Sequence, residues 1–281
     1  MKQFFAKIFG QETYLALARK RHQCTIFFHN LLHPYHFNPQ RYSGTFMAND
    51  YPNGEDKLEQ VEKVIYIFWT GDNEITPNRL AGIKSLEEVS GVRVQLITPQ
   101  NLSEYIVEED PLPDAYQYLS LNHKSDYLRS YFMHHHGGGY ADIKTYFKSW
   151  NQAFDRLNTS DAYAVGYHEV GWWGAAWKDI ENENLREDVK NNWAMLIGNG
   201  AFICRPHTKL TEEWHAEAKR RVETLSEELK AHPAKDIFGT NEDYPIKWSG
   251  MQGSIFHPLC LKYHDRLLMD NNLKPSFENY R

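Results

Sequence analysis

The sequence predicts an α/β domain built around a mainly parallel sheet. Two apolar runs and the segment between them carry this reading. "KVIYIFWTG" (63–71) is β-branched and aromatic and closes on glycine, the pattern of a strand covered on both faces. "VRVQLIT" (92–98) has the same character. "TPNRLAGIKSLEEVSG" between them starts and stops like a helix, so strand and helix alternate.

Each element has a local reason. Thr76 is a natural N-cap and Pro77 suits the first helical position, while Gly91 accepts the left-handed angles that end a helix. "PQNLSEYIVEE" reads as a short helix. In "LNHKSDYLRSYFMHHH" (121–136), Tyr127, Leu128, Tyr131 and Phe132 form one apolar stripe, with Asp126, Arg129 and Met133 on an adjacent face. The glycines that follow stop this helix, and "GYADIKTYFK" alternates like a strand with Asp142 near its start. Residues 161–170 and 194–205 read as further strands. Residues 208–232 read as one long helix capped by Thr208 or Thr211. The Pro- and Gly-punctuated tail from Gly239 has no clear assignment.

Residues 1–60 read as a helical N-terminal extension and connector, and 61–281 as the catalytic-type domain. Residues 1–41 carry a net +5 although the whole chain carries −6. With Phe4, Phe5, Ile8, Phe9, Tyr14 and Leu15 on one face, residues 1–22 suit either an anionic membrane surface or packing on the main domain. The acidic total excludes nucleic acid as a partner of the whole chain. Three scattered cysteines, no CxxC pair and no apolar run near the ~20 residues of a membrane span predict a cytoplasmic protein, with membrane contact at most peripheral. The high aromatic share, 14%, suits either core filling or ring faces for a sugar ligand.

The most conspicuous motif is "HHHGGGYADIK" (134–144). Consecutive helical residues point about 100° apart, so three adjacent histidines cannot converge on one ion. Neither GxGxxG nor GxxxxGK[ST] is present, and the glycines follow a helix instead of preceding one, so a phosphate loop is also excluded. What remains is Asp142, with Asp126 and Arg129 one helix earlier.

"HKSDYLRSYFMHHHGGGYADIK" resembles the SD-x-x-R … GG-x-Y-x-D-x-D signature of the glycosyltransferase family described as a sugar-binding region with a DXD motif, and in particular bacterial capsular-polysaccharide-type sugar transferases. "KVIYIFWTGD" followed by "TPNR" resembles that family's first nucleotide-binding strand. The resemblance covers roughly residues 60–150 and implies a Rossmann-like GT-A fold. The implied activity moves a sugar from a nucleotide-diphosphate donor to a glycan or lipid-linked glycan acceptor of the bacterial surface (capsule or lipopolysaccharide), with retention at the anomeric carbon. It places Trp69 and Thr70 against base and ribose. Asp126, Arg129, Gly138, Gly139 and Tyr140 complete the donor site. Asp142 stands at the first acid of D-x-D and is the implied ligand of an Mn²⁺ or Mg²⁺ ion.

Lys144 stands where the family has its second acid. Either Asp142 still holds a cation with donor phosphates and waters, or the Lys144 ammonium neutralises the leaving diphosphate without a metal. Glu169 is the candidate for a carboxylate on the opposite sugar face, front-face return being the alternative. Glu169, Trp172, Trp173 and Asn199 form a candidate acceptor side, and "KWSGMQGSIF" (247–256) a candidate loop over the donor phosphates. The lost second acid leaves room for a non-catalytic nucleotide-sugar or glycan binder. A metal hydrolase using the histidine run is a further alternative. Asp142→Ala is expected to abolish turnover and leave thermal unfolding nearly unchanged.

Overall fold

The computed structural model describes residues 34–49 and 58–278, together with helical positions 20, 21, 24, 28, 31 and 32. The amphipathic face from Phe4 to Leu15 lies outside the described residues. Among them, no helix is long and apolar enough to cross a membrane.

The protein is an α/β structure with a six-stranded, mostly parallel mixed sheet. Strand β1 (Val64–Phe68) leads through helix α1 (Pro77–Ser90) to β2 (Arg93–Ile97). Helix α2 (Leu121–His135) precedes β3 (Gly138–Ala141), and α3 (Asn151–Asn158) precedes β4 (Ala164–His168). Then come α4 (Glu183–Asn191), β5 (Ile197–Cys204), α5 (Lys209–Thr224), α6 (Ser226–Ala231), α7 (Gly253–Lys262) and β6 (Leu267–Met269). The sheet order is β2-β1-β3-β5-β4-β6, and only β5 runs antiparallel to its neighbours.

All five residues of β1 are buried, as its apolar run demands. Val64, Tyr66 and Phe68 join one core with α2, α5 and α7, while Ile65 and Ile67 join a second core with α1 and α3. Each such side chain contributes about 1.5–3 kcal/mol on burial, which fixes the sheet between two helical layers. Helix α1 has the expected caps: Thr76 accepts from the Arg79 amide, Pro77 opens the first turn and Gly91 is left-handed. Its Gly82 lies against the Lys144 backbone, where a Cβ would come within 3.1 Å of the Lys144 carbonyl. Helix α2 ends as expected, with left-handed Gly137 donating its amide to the Phe132 carbonyl.

Three expectations are corrected, and the tail that the sequence leaves unassigned gains its elements. The short helix after β2 is only a 3-10 turn, Leu102–Tyr105. The long helix breaks at Leu225 into α5 and α6. The tail folds into α7 and β6. Strand β3 is four residues long and includes two glycines, so Asp142 sits just past its carboxyl end instead of at a strand start. The segment before β1 is more than a connector where it is described. Tyr42 and Met47 are fully buried, and Arg41 and Tyr42 both bond Asp188 on α4.

Candidate active site

The chain passes from β1 to β2 on one side of the sheet, then crosses back to place β3 on the other side of β1. Strand order therefore reverses between β1 and β3. In open α/β sheets, ligands bind at the carboxyl ends of the strands flanking such a reversal. Here those ends carry Trp69 and Thr70 after β1, and Asp142 to Lys144 after β3. Antiparallel β5 brings the residues at its amino end to the same edge, because Ala141 pairs with Ala201 and the Asp142 amide donates to the Gly200 carbonyl at 2.8 Å.

Helix α2 delivers Asp126 and Arg129 to this edge, three residues apart on one face. The Arg129 guanidinium lies 3.3 Å from Asp126 and 3.4 Å from Asp142, and sits over the Tyr140 ring at 4.3 Å. Tyr140 donates its hydroxyl to Asp142 Oδ1 at 2.6 Å. Lys144 donates to Asp142 Oδ2, also at 2.6 Å. Asp126, Arg129, Tyr140, Asp142 and Lys144 are therefore one contiguous cluster. Asp142 is the most open of its charged members, with 21% of the side chain exposed against 6–11% for the others.

Burial alone would push Asp142 up, but Lys144 and then Arg129 outweigh it and hold the carboxyl below its ordinary value. Asp126 goes the other way. Its burial raises it, and Arg129 offsets this only in part. Burial and the neighbouring carboxylates also keep the Tyr140 hydroxyl protonated, so it remains a donor.

Gln252, at the start of α7, completes the cluster. Its side-chain oxygen accepts from Arg129, and its amide nitrogen donates to the Asn199 carbonyl at 3.1 Å. Arg129 Nε and Asn199 Oδ1 are buried without a partner, so the site keeps one unmet donor and one unmet acceptor. Sequence reasoning reached the stretch 247–256 as a loop but not Gln252 itself, and from Gly253 on that stretch is helix α7 instead. Tyr146 and Tyr167 were also missed. Tyr146 donates to the Asp142 carbonyl, and Tyr167 accepts from the Gly200 amide.

The other expected residues are placed as follows. Trp69 donates its ring N–H to the Asn73 carbonyl, and Thr70 donates to the Leu121 carbonyl, which ties the end of β1 to the start of α2. Gly138 and Gly139 lie inside the sheet against Val64, Ile65 and Trp150, apart from the charged cluster. Trp172 and Trp173 stand edge to face and are 37% and 45% exposed. Glu169 follows β4 and is 5% exposed. One of its oxygens accepts from the Val170 amide at 2.7 Å; the other lies 3.6 Å from His257. Gly174 closes over this carboxylate, leaving no room for a Cβ there. Burial raises Glu169 above its ordinary value, against the pull of the Val170 amide.

The donor set does not suit a divalent Mg²⁺ or Mn²⁺ ion. Such hard cations require several free oxygen ligands in regular geometry. Both Asp142 oxygens already face cationic or hydroxyl donors, and Asp126 faces Arg129 and Asn122. What the arrangement offers is a pair of fixed positive charges, Arg129 and Lys144, at one sheet edge.

No curated protein matches the chain. Residues 39–170, which hold β1 to β4 and the whole Asp126–Lys144 cluster, match the sequence model of a family described as capsular polysaccharide synthesis protein, and the match points to capsular polysaccharide synthesis.

Proposed function

We propose that the chain is a glycosyltransferase that moves a sugar from a nucleotide-diphosphate donor to a glycan or lipid-linked glycan of the bacterial surface. The observation that carries this reading is the cluster of Arg129, Lys144, Asp142 and Tyr140 at the switch point of the sheet. The family match over the same residues supports it. In this reading the nucleotide lies along Trp69 and Thr70, and the diphosphate meets Arg129 and Lys144. The sugar–phosphate bond breaks with its electron pair leaving on the diphosphate. Two fixed cations stabilise that developing charge without having to reorganise. Arg129 suits paired phosphate contacts and Lys144 supplies a point charge. Lys144 takes the place of a bound metal.

Glu169 is roofed by Gly174 and poorly presented to a sugar. Front-face return therefore fits retention better than a covalent intermediate does. The acceptor hydroxyl attacks the anomeric carbon on the departing side, and its proton passes to a leaving phosphate oxygen. Trp172 and Trp173 give exposed ring faces for an acceptor sugar. Residues 1–22 would hold the protein at the inner face of the membrane.

A screen of nucleotide-sugar donors tests the reading, scoring transfer and donor hydrolysis with EDTA or with Mn²⁺. Turnover that survives EDTA is expected; turnover that needs Mn²⁺ would remove Lys144 from its role. One geometric fact favours a second reading. Two carboxylates already neutralise the two cations, so a diphosphate has to compete for them. A donor-binding protein without catalysis would show calorimetric binding of nucleoside diphosphates and no turnover with any donor.

A further inference from the structure

The histidine run acquires a partner that its spacing alone hides. His135, on the last turn of α2, points its Nε2 at Asp110 Oδ2 from 2.8 Å. His215, on α5, points its Nε2 at the same oxygen from 2.6 Å. The three ligating atoms come from a loop and two helices, and all lie within 4.8 Å of one another. We infer that Asp110, His135 and His215 form a site for a zinc-like divalent transition metal, separate from the switch-point cluster. His135 lies six residues beyond Arg129, about 9 Å farther along the helix.

The objection to three adjacent histidines does not apply, because only His135 of the run is used. Two imidazoles and one carboxylate suit zinc and similar borderline metals better than Mg²⁺ or Ca²⁺. Metal–ligand bonds of about 2.0–2.2 Å hold tetrahedral ligand atoms roughly 3.3–3.5 Å apart. The ring nitrogens therefore need to retreat from Oδ2 by roughly 0.5–0.9 Å and to settle at the same spacing from each other. Three protein ligands leave one position for water.

The surroundings hold the ligands in place. Tyr131 donates to the Asp110 carbonyl at 2.9 Å and accepts from the Val107 amide, which fixes the loop. The Tyr131 ring lies 4.5 Å from His135 and stands perpendicular to His215 at 5.2 Å. His215 is 4% exposed and its Nδ1 has no partner; the fully buried Tyr127 hydroxyl beside it has none either. These are polar atoms left over in a place where polar atoms are normally paired. Both rings point Nε2 at Oδ2, so an ion entering there displaces any proton on those nitrogens to Nδ1 or to solvent. Lys219 bonds the other oxygen, Oδ1, so it leaves Oδ2 to the ion but repels it.

The test uses the full chain without a polyhistidine tag, stripped with chelator and dialysed against Zn²⁺. Metal is counted by plasma mass spectrometry, and a Zn²⁺-dependent rise in Tm is read in parallel. One equivalent is expected in the wild type, falling at least tenfold in affinity in Asp110→Asn, His135→Ala and His215→Ala. Lys219→Met, which removes the repelling ammonium and keeps all three ligands, should bind several-fold more tightly. If a ligand variant fails to fold, the wild type and Lys219→Met still decide. No bound zinc in the wild type, unchanged binding in folded ligand variants, or no gain in Lys219→Met would each overturn the site.

Discussion

The Lys144 ammonium lies 2.6 Å from Asp142 Oδ2, so the lysine neutralises the acid two residues before it. This single pair decides how a leaving diphosphate would be met. If Lys144 supplies the charge, Lys144→Met should lower donor kcat by about 10²–10³, the usual cost of removing one preorganised transition-state donor. Lys144→Asp should restore a two-acid pattern and make the residual activity depend on added Mn²⁺. Kinetics of both variants with EDTA and with Mn²⁺ check this. An Lys144→Met enzyme with wild-type kcat would remove the lysine from the chemistry.

Asp142 is more than a chemical group, which changes the outcome expected for Asp142→Ala from sequence. Its carboxylate holds Lys144, Arg129 and the Tyr140 hydroxyl in a largely buried cluster. Truncation takes a carboxylate from the poorly hydrated Lys144 and leaves Arg129 with Asp126 in place of two acids, and breaking one partner of a buried pair typically costs about 3–5 kcal/mol. Asp142→Ala should therefore lower stability as well as activity. Asp142→Asn keeps the shape and one acceptor and should unfold closer to wild type while remaining inactive. Chemical denaturation of both variants, read beside donor turnover, separates the two effects.

Legibility in the sequence followed how local the determining forces are. Helix α1 is written in Thr76, Pro77 and Gly91, and α2 in the stripe from Tyr127 to Phe132, because caps and periodicity act within a few residues. Helix α7 was illegible for the opposite reason. From Gly253 to Leu261 every residue is buried, so no polar face marks a period, and Pro258 inside it argues against a helix. Gly138 read only as part of the stop of α2, yet Gly138 and Gly139 pair with Cys204 and Ile203 because the sheet leaves no room for side chains there. The charged cluster was legible because Asp126 to Lys144 fall in one short window. Gln252 was not, since its contact with Arg129 spans 123 positions and exists only in the folded chain.

Arg205 makes a prediction that concerns the fold alone. It is 1% exposed, and its guanidinium donates to the carbonyls of Glu59, Leu157, Ser160 and Ala162. Two of these carbonyls lie at the end of α3, where the helix dipole favours a cation. One side chain therefore bridges four backbone acceptors, two of them, on Leu157 and Ala162, in buried bonds. Arg205→Met should cost about 1–3 kcal/mol, since the buried Ala162 carbonyl loses its guanidinium donor while the Leu157 carbonyl keeps the Ser160 amide and hydroxyl. Denaturant unfolding should show a lower midpoint with an unchanged slope. A variant as stable as the wild type would show that water or neighbouring donors replace the guanidinium.

His257 sets a pH window for stability. It is fully buried; its Nδ1 accepts from the Ala176 amide at 2.9 Å, so the proton sits on Nε2, which faces the Ile197 carbonyl at 3.2 Å. Burial lowers its pKa to about 4 from the ordinary 6.5. The unfolded chain therefore binds a proton at this residue below about pH 6.5 that the folded protein refuses until about pH 4. Its stabilising share is fully present above pH 6.5 and declines as pH falls through that window, by about 3 kcal/mol in all. His257→Gln keeps a donor for the Ile197 carbonyl and cannot titrate. It should be less stable at pH 7, where the Ala176 amide loses its acceptor, yet show a shallower loss between pH 6.5 and 4. Denaturation midpoints at half-unit pH steps give the comparison. Parallel curves for variant and wild type would mean that His257 titrates alike in the folded and unfolded states.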